Sequence, residues 1–438
     1  MESLIIWSAA IICITLITLP YILKFQRQRK IDLDRRDEAV SLGIDKPVAQ
    51  YPLIDAMRCM GCGSCVRACT QGDVLGIVFG TSTIINGFKC IGCGRCADFC
   101  PVNGIIIGMG DLRNRDDIPM MNQFNETNIP RLFIAGELSG LSLIKNAIIQ
   151  GSMVVQKIAQ NPERSSHQKI KDLIIVGAGP AGLSAALTAI KYRLSYVVLD
   201  QQCAGGTILQ YPRKKIVMLD PVEIPLYGWL KKYEYTKEEL LDVWNKIVGH
   251  FKVNIKSGDK LINVKRENSI FQVITQNGIY HSRNLILALG RRGTPRKLGV
   301  PGENLSKVMY QLIDAESYQN NRILVVGGGD SAVEAAIALA KQKNNLLTLS
   351  YRKNKFFRIK QKNLEQINNF IANKKVRCIF NSNVIEIRQK SVRLKINDKT
   401  YEIANDYVFI FAGGEPPFNL LKQIGVRFGG ESNREGIN

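Results

Sequence analysis

Eight of the eleven cysteines in this 438-residue chain fall into two copies of one spacing, C-x2-C-x2-C-x3-C. The copies are Cys59, Cys62, Cys65 and Cys69, then Cys90, Cys93, Cys96 and Cys100, with Pro101 following. Three thiolates two residues apart can wrap three corners of an iron–sulfur cube, and the fourth corner needs a cysteine from elsewhere. The spacing therefore predicts two [4Fe–4S] clusters.

The two runs resemble those of bacterial two-cluster ferredoxins, in which the last cysteine of each run ligates the other cluster. The resemblance assigns Cys59, Cys62, Cys65 and Cys100 to a first cluster, and Cys90, Cys93, Cys96 and Cys69 to a second. Paired zinc sites and a disulfide framework are the alternatives. Zinc usually takes two separated cysteine pairs, and disulfides need an oxidising compartment, so both fit the spacing less well.

The formal charge of +21 indicates a partner of opposite charge. The sequence contains no helix-turn-helix, zinc finger or aromatic-studded RNA motif, so we expect no nucleic acid. A membrane surface or an acidic protein accounts for the charge more simply. No Ser/His/Asp or paired-carboxylate arrangement is evident, and only three histidines are present, so hydrolytic chemistry has little support and no catalytic side chain is assigned.

The N-terminal segment Leu4–Leu23 has no charged residue over twenty positions, roughly the length that spans a hydrocarbon core. Basic residues follow it: Lys24, Arg27, Arg29 and Lys30. A cleaved signal peptide needs a basic start and a small-residue cleavage site, and the chain begins Met1-Glu2-Ser3. We therefore expect a single-pass membrane protein whose catalytic part is cytoplasmic.

Changes of composition along the chain suggest seven segments, and four of them precede the first glycine motif. These are an anchor (1–24), a charged linker (25–50), the cluster module (51–110) and an apolar strand–helix segment (111–160). After a loop rich in polar residues the chain alternates strands, glycine turns and helices. These segments are a first dinucleotide domain (171–295), a second (296–408) and a C-terminal return to the first (409–438).

The first glycine motif lies where a dinucleotide site requires it. A buried-type strand, Leu173–Val176, precedes it, a helix from about Leu183 follows, and Asp200 ends the next strand. The motif consists of Gly177, Ala178, Gly179, Pro180, Ala181 and Gly182. Its glycines let the backbone approach a pyrophosphate at a helix N-terminus, and an acid about twenty residues later accepts from ribose hydroxyls.

The same unit recurs at residues 322–349. Its turn consists of Gly327, Gly328, Gly329, Asp330, Ser331 and Ala332. The strand that follows ends not in an acid but in Ser350, Tyr351, Arg352 and Lys353, and Arg358 lies slightly further on. Because basic residues accommodate a 2′-phosphate, the sequence favours NADPH over NADH. Two such units predict two bound dinucleotides.

Residues 129–430 resemble the thioredoxin reductase-like flavoproteins. The resemblance rests on the first glycine motif with Leu183, on Gly205-Gly206-Thr207, on Leu285–Gly290 with Gly293-Thr294-Pro295, on Gly327–Glu334 and on Tyr351–Arg358. It implies that the first motif, Asp200, Gly205, Gly206, Thr207, Gly136, Glu137 and Gly290 bind FAD. The second set, Gly327, Gly329, Asp330, Ser331, Ala332, Arg352, Lys353 and Arg358, would bind NADPH.

Two departures from that family bear on function. The stretch before the second motif, Val308–Asp314, has no C-x-x-C pair, and Ala181 stands where a related bacillithiol-reductase-like branch has cysteine. Leu132–Glu137, an apolar strand ending in Ala-Gly-Glu, precedes the first glycine motif, whereas the family places this element at its C-terminus. The expected fold class is therefore α/β, with FAD and NADPH Rossmann-like domains, the former circularly permuted, plus a small α+β dicluster ferredoxin domain and a transmembrane helix.

These patterns predict a membrane-anchored NADPH-dependent flavoprotein that passes electrons through FAD and two [4Fe–4S] clusters to a one-electron acceptor, either a ferredoxin-like protein or quinone. The alternatives are a disulfide reductase, the reverse reaction from ferredoxin to NADP+, and a non-catalytic redox sensor. A disulfide reductase needs a dithiol, and only Cys203 and Cys378 follow the cluster module. Assembly as a homodimer is left open.

Overall fold

The computed structural model describes residues 2–41, 50–109, 117–141, 143–160, 169–291, 293–356 and 359–429. Within these ranges the side chains of 2–5, 8–10, 88, 109, 218 and 294 are excluded from the description. The chain divides into two compact units, residues 1–110 and residues 111–438. Each unit is described by itself.

The first unit is a long helix followed by a two-fold repeat of a cysteine run and a short helix. Its elements are α1 (Glu2–Ser41), β1 (Gln50–Ile54), α2 (Ser64–Ala68), β2 (Leu75–Val78), β3 (Thr81–Ile84), α3 (Arg95–Asp98) and β4 (Ile105–Met109). Strand β1 pairs antiparallel with β4, and β2 with β3. Each short helix follows a glycine in the left-handed region, Gly63 at φ 71° and Gly94 at φ 87°, which L-residues adopt only with strain.

Helix α1 continues far beyond the predicted anchor. Its C-terminal half packs on β2, where Asp32 is 4% exposed and accepts from the backbone N–H of Ile77 at 3.0 Å. Ala39, seven residues later on the same side, is also buried. The prediction of a linker over 25–50 is therefore wrong for residues 25–41, because a buried helical stripe ties them to the cluster module.

Among the side chains that the structure describes, no helix offers an apolar stretch long enough to cross a membrane. The predicted anchor Leu4–Leu23 lies only partly within that description, since the side chains of residues 4, 5 and 8–10 are outside it. Its described apolar residues, Ile6, Trp7 and most of those from Ile11 to Leu23, are exposed.

The second unit contains two large sheets covered by helices, together with smaller two- and three-stranded sheets. Its N-terminal part comprises β5 (Leu132–Ile134), α4 (Ile144–Gln160), β6 (Ile170–Val176), α5 (Pro180–Lys191), β7 (Tyr196–Asp200), β8 (Ile216–Met218), β9 (Val222–Ile224), β10 (Gly228–Leu230), β11 (Glu234–Thr236), α6 (Lys237–His250), β12 (Ile255–Ser257), β13 (Leu261–Glu267), β14 (Ile270–Thr275) and β15 (Ile279–Leu287). The first sheet has the order β12-β7-β6-β15-β14-β13, with β5 also paired to β15.

The remaining elements build the second large sheet, a three-stranded sheet and a two-stranded pair, and the last helix packs back on β13 of the first large sheet. They are β16 (Thr294–Pro295), β17 (Val308–Met309), β18 (Arg322–Val326), α7 (Asp330–Ala340), β19 (Leu346–Ser350), α8 (Gln361–Ala372), β20 (Val376–Ile379), β21 (Ser382–Ile387), β22 (Ser391–Ile396), β23 (Lys399–Ala404), β24 (Tyr407–Ile410), β25 (Gly414–Glu415) and α9 (Phe418–Ile424). The second sheet has the order β17-β24-β18-β19-β20, all parallel. The predicted boundary at 408/409 cuts through β24 and is wrong, because that strand pairs with β18.

Strand β5 lies in the sheet of the first glycine motif, as its apolar sequence predicted. It runs parallel to β15, with Leu132 opposite Leu285, and β15 in turn pairs with β6. Its side chains Leu132 and Ile134 are fully buried in a cluster that also contains Leu421 and Phe428 from the C-terminal return. Both segments therefore complete one core.

Helix α4 approaches α5 so closely that their backbones touch. The hydroxyl of Ser184 donates to the carbonyl of Ile148 at 2.6 Å, and a Cβ on Gly151 would overlap the carbonyl oxygen of Ala181. A side chain at Gly151 would therefore force the two helices apart.

This contact predicts opposite effects for two helical glycines. Gly151→Ala should destabilise the protein by about 1–3 kcal/mol, the usual cost of overpacking. Gly249→Ala, in α6, meets no atom within 4 Å and should stabilise by about 0.5–1 kcal/mol through helix propensity. Thermal unfolding of the full-length variants measures both, and a Gly151 variant as stable as the parent would contradict the packing.

Candidate functional site

Four of the cluster thiols line one pocket of the first unit. The pocket is lined by Cys59, Cys62, Cys65 and Cys100, the set assigned to the first cluster. Cys59 and Cys62 lie in the loop that leads into α2, Cys65 lies in α2, and Cys100 follows α3. The repeat thus brings the fourth thiol to the corner that one run cannot reach.

Polar groups contact the sulfur atoms of this pocket. The backbone N–H of Ser82 donates to Sγ of Cys59 at 3.3 Å, and that of Gly104 donates to Sγ of Cys100 at 3.2 Å. Sγ of Cys65 lies 3.2 Å from Oγ of Ser82. Hydrogen bonds to cysteine sulfurs set the reduction potential of an iron–sulfur cluster, so these groups suit a cluster held here.

The other four thiols, Cys69, Cys90, Cys93 and Cys96, form the second group. Burial, together with the charges of Cys90, Cys93 and Cys69, raises the pKa of Cys96 to about 12. Burial likewise raises the pKa of Cys69 and of Cys90, with Cys93 as a further cause for both. Four mutually repelling thiols in a poorly hydrated site need a cationic partner to ionise together.

The two thiol groups suit iron–sulfur clusters by their donor set. Among the described residues no group of three Cys, His, Asp or Glu side chains is arranged to hold a single metal ion. In a cubane each thiolate binds a different iron at a different corner, so its ligands need not converge on one point. The donor set, four thiols per group, is the one that [4Fe–4S] clusters take.

The first glycine turn of the second unit joins β6 to α5. Gly177 has φ 110°, and a Cβ there would overlap the carbonyl oxygen of Ala288 on the neighbouring strand. A Cβ on Gly182 would overlap the Gly177 carbonyl, so the helix packs directly on the strand end. Gly179 caps α5, with Pro180 as its first residue. A helix N-terminus with bare backbone is a ready-made site for a pyrophosphate.

Asp200 links the first glycine turn to the loop that follows β7. Its carboxylate accepts from the N–H of Ala178 at 2.5 Å and of Gln202 at 2.7 Å. Burial raises the pKa of Asp200, and these two hydrogen bonds oppose that rise. The N–H of Gly205 donates to the carbonyl of Ala178 at 2.9 Å, which brings the Gly205-Gly206-Thr207 turn beside the first motif.

The segment predicted to contact the flavin from outside the motif also reaches this place. Gly136 has φ 85° and lies beside Ala181. A Cβ placed on Gly136 would be 3.2 Å from the Cβ of Ala181. Its N–H donates to Oε1 of buried Gln150 at 2.8 Å. Glu137 follows at the start of a short 3-10 helix. The structure thus brings Gly136 and Glu137 to the N-terminus of α5.

Gly290 and Thr207 complete the surroundings of the first turn. Gly290 has φ 67°, and Oγ1 of Thr207 lies 4.0 Å from the position of its Cβ. All the described residues assigned to FAD therefore surround one helix N-terminus, that of α5.

The second glycine turn joins β18 to α7 in the same way. Gly327 has φ 142°, its N–H donates to the carbonyl of Ser350, and its Cβ would lie 2.5 Å from the Phe411 carbonyl oxygen. Gly329 caps α7, no atom lies within 4 Å of its Cβ position, and Ser331 is exposed beside it while Ala332 is buried. The open face at Gly329 suits a second pyrophosphate.

Two contacts at this turn have no signal in the sequence. Oδ1 of Asp330 accepts from the N–H of Lys360 at 2.9 Å and from Nδ2 of Asn363 at 2.7 Å, so its carboxylate holds the start of α8. The ring of Tyr351 lies against Gly328, where a Cβ would overlap it. Partners thirty residues apart in the chain leave no local pattern.

Arg352 and Lys353 follow β19 and are exposed, as a 2′-phosphate site requires. Tyr351 before them stacks on Phe356, with ring centroids 5.7 Å apart. Arg358 lies outside the residues that the structure describes.

Ion pairs join residues 213–215 to the part of the second unit that carries the second glycine turn. Nζ of Lys215, after the first sheet's Gly205 turn, lies 2.8 Å from a carboxylate oxygen of Glu334 in α7. Arg213 pairs with Asp314 at 3.1 Å, and Lys214 with Glu316 at 3.1 Å. The sequence analysis missed these three basic residues, which bridge the segments that carry the two glycine turns.

The two remaining cysteines of the second unit do not form a pair. Cys203 is exposed in the loop after β7 of the first sheet, and Cys378 lies in β20 of the second, where burial raises its pKa to about 12. A dithiol relay therefore has no counterpart among the described residues.

Comparison with protein families gives two matches. Residues 174–435 match the family described as pyridine nucleotide-disulphide oxidoreductase, and residues 51–101 match the 4Fe-4S dicluster domain. The first match covers more than half of the chain.

Individual relatives agree with this assignment. The chain is 28% identical to a ferredoxin–NADP reductase of Ignicoccus hospitalis, over 60% of this chain and 83% of that protein. It is 31% identical to a 34.2 kDa protein in the rubredoxin operon of Clostridium pasteurianum, over 58% and 80%.

Among solved structures, bacillithiol disulfide reductase Bdr from Staphylococcus aureus matches with a TM-score of 0.53 at 27% identity, over 60% of this chain and 81% of that one. The family resemblance seen in the sequence is thus confirmed. The chain belongs to the pyridine nucleotide-disulphide oxidoreductase family, as a thioredoxin reductase-like FAD/NAD(P)-dependent enzyme that also carries a 4Fe-4S dicluster ferredoxin domain.

Proposed function

We propose that this enzyme moves electrons from NADPH, through FAD and the two [4Fe–4S] clusters, to a one-electron acceptor. The observation that carries the proposal is the combination of two dinucleotide turns and two four-thiol groups in a chain without a cysteine pair beside the flavin turn. FAD supplies the conversion between two-electron hydride transfer and single-electron release.

In this proposal the residues of the chain bind the two dinucleotides and hold them in position. Gly177, Gly179 and Gly182 would admit the FAD pyrophosphate to the N-terminus of α5, and Asp200, which fixes the turn, would bind the ribose. Gly329 does the same for the second dinucleotide at α7. The ion pair of Lys215 and Glu334 keeps the two segments together, so that bound nucleotide and flavin are held in one unit.

The same residues serve the reverse direction, in which reduced ferredoxin delivers electrons to NADP+. A panel of donors and acceptors, tested anaerobically with the full-length protein, fixes the direction. A disulfide reductase is disfavoured, because Cys203 lies in the loop after β7 and Cys378 in β20, and the two do not form a pair.

We also propose that the flavin domain is circularly permuted relative to its family. The parallel pairing of β5 with β15 and the approach of Gly136 to Ala181 support this, since both occur with β5 preceding β6 in the chain. The rearrangement places the flavin-contacting segment directly after the cluster module in sequence.

We further propose that Leu4–Leu23 anchors the chain in the membrane with residues 24–438 in the cytosol. The exposed apolar side chains of α1 and the basic flank from Lys24 to Lys30 support it. Washing membranes with high salt should leave the protein bound, and detergent should release it. Release by salt alone would contradict the anchor.

NADPH preference gives a prediction for Arg352. A charge-assisted hydrogen bond contributes about 1.5–3 kcal/mol, so Arg352→Ala should weaken NADPH binding about tenfold or more and leave NADH unchanged. Lys341→Ala, which removes an exposed cation at the other end of α7, is the matched control and should change neither. Titration of both nucleotides measures this, and equal losses for NADPH and NADH would exclude a phosphate site at Arg352.

The order of electron transfer predicts that two variants separate the half-reactions. Cys93→Ser should lose the second cluster yet keep FAD reducible by NADPH, because that step needs only the second unit. Gly179→Val should fold, since its Cβ meets only Gly206 Cα at 3.7 Å, but lose FAD because the side chain blocks the pyrophosphate.

Anaerobic flavin absorbance and reduction of an added ferredoxin measure these two half-reactions. The Cys93 variant should bleach the flavin with NADPH and fail to reduce the ferredoxin. A folded, FAD-loaded Cys93 variant that no longer bleaches, or that still reduces ferredoxin at the parent rate, would refute the order.

A further inference from the structure

The two halves of the cluster module have the same backbone pattern but different surfaces. Of the eight cluster thiols, all of them described, only Cys62 is exposed, whereas its repeat equivalent Cys93 is half-buried. Because electron transfer between proteins needs close approach, the first cluster is the more accessible of the two to a partner at the protein surface.

Equivalent positions of the two runs carry different side chains. Met60, 63% exposed, stands where the second run has the half-buried Ile91. Arg67 stands where the second run has the exposed Asp98. The first half therefore presents apolar and basic groups where the second presents an acid.

A third difference comes from the segment packed behind each run. A Cβ on Gly61 would overlap the carbonyl of Gly80 in the β2–β3 turn, and the equivalent Gly92 instead faces Gln50. The first turn thereby brings Phe79, which is 70% exposed, beside the first run. At the second run the corresponding place holds a polar amide.

Phe79 has an unfavourable backbone for its residue type. Its φ is 51°, in the left-handed region, and it precedes Gly80 at φ 81° in a two-residue hairpin turn. Asn-Gly is the preferred pair in such turns, and a bulky residue at positive φ is strained. A strained aromatic side chain that is mostly exposed contributes little to packing, and such residues concentrate at functional sites.

Arginine side chains border these apolar groups. The guanidinium of Arg29 in α1 lies 5.2 Å from the Phe79 ring centroid. Nη1 of Arg67 lies 3.3 Å from the carbonyl oxygen of Cys62 and donates to it. We name Met60, Phe79, Arg29 and Arg67 the first-cluster patch. Phe99 and Ile106 are also exposed elsewhere on the module, but Asp98 lies directly beside Phe99.

We propose that the first-cluster patch docks an acidic one-electron carrier protein and that the first cluster is the exit of the electron path. The inference rests on the proposed function and names its partner class. An apolar centre with a charged rim is the anatomy of a transient protein interface, and the positive rim selects an acidic partner. The second run carries Arg95 and Asp98 together and so lacks a purely basic rim, and in this path the second cluster passes its electron to the first.

The docked step is a simple electron transfer. One electron passes from the cluster held by Cys59, Cys62, Cys65 and Cys100 to the partner's oxidised centre. The cluster is oxidised by one electron and the partner is reduced by one. No bond forms or breaks, and no proton moves.

Binding of an oxidised, acidic plant-type [2Fe–2S] ferredoxin to the full-length, cofactor-loaded protein tests the proposal without turnover. Arg67→Glu should weaken binding about tenfold at low salt, an effect that shrinks as salt screens the charges. Arg95→Glu, beside the second run, changes the net charge equally and should have little effect. Basic cytochrome c, as a second probe, should not lose affinity for the Arg67 variant.

Phe79→Asn separates a docking role from a structural one. Asparagine tolerates positive φ, so the variant should unfold at the same temperature as the parent or higher. Its affinity for the acidic ferredoxin should nevertheless fall about tenfold, as for an aromatic anchor at an interface. Flavin reduction by NADPH, measured in parallel, should be unchanged in both patch variants.

Three outcomes overturn the proposal. Equal weakening by Arg67→Glu and Arg95→Glu would show only an effect of net charge. Unchanged ferredoxin affinity in both patch variants would exclude docking at the patch. If those variants instead lose binding to phosphatidylcholine–phosphatidylserine vesicles with ferredoxin affinity unchanged, the patch belongs to the membrane surface. If NADPH does not reduce the flavin of the parent protein, the proposed function is refuted. The binding measurements test the docking independently of that result.

Discussion

Direct contact between backbones, made where a Cβ is absent, is the constraint on which both units depend. In the first unit the Gly61 loop rests on the Gly80 carbonyl, which shapes the first thiol pocket. In the second unit Gly182 lets α5 rest on the Gly177 carbonyl. Both contacts bring polar backbone groups close to where a cofactor binds, and any side chain there would hold the groups apart.

The sequence predicted those parts of the site that depend on short spacing. The cysteine runs predicted which four thiols share the first pocket, and each glycine motif predicted a strand–turn–helix unit. It could not show that α1 reaches Ser41, because the burial of Asp32 depends on Ile77, forty-five residues away. For the same reason the sequence could not show that the Asp330 carboxylate accepts hydrogen bonds from Lys360 and Asn363.

The glycine turns and the groups of cluster thiols lie in one polypeptide. This chain has separated cysteines in its second unit, which carries the two glycine turns, and two groups of four thiols in its first unit. Its flavin-unit relatives include a ferredoxin–NADP reductase. With the dicluster domain in the same polypeptide, the proposed path keeps one-electron carriers at a fixed stoichiometry with the flavin.

The central claim is that the flavin and both clusters form one connected electron store filled by NADPH. Anaerobic titration of the full-length protein with NADPH, followed by flavin absorbance and by electron paramagnetic resonance of the clusters, tests it most directly. The account predicts uptake of about four electrons per chain, two on the flavin and one on each cluster. Uptake of about two electrons, with both clusters still oxidised after the flavin is fully reduced, would contradict it.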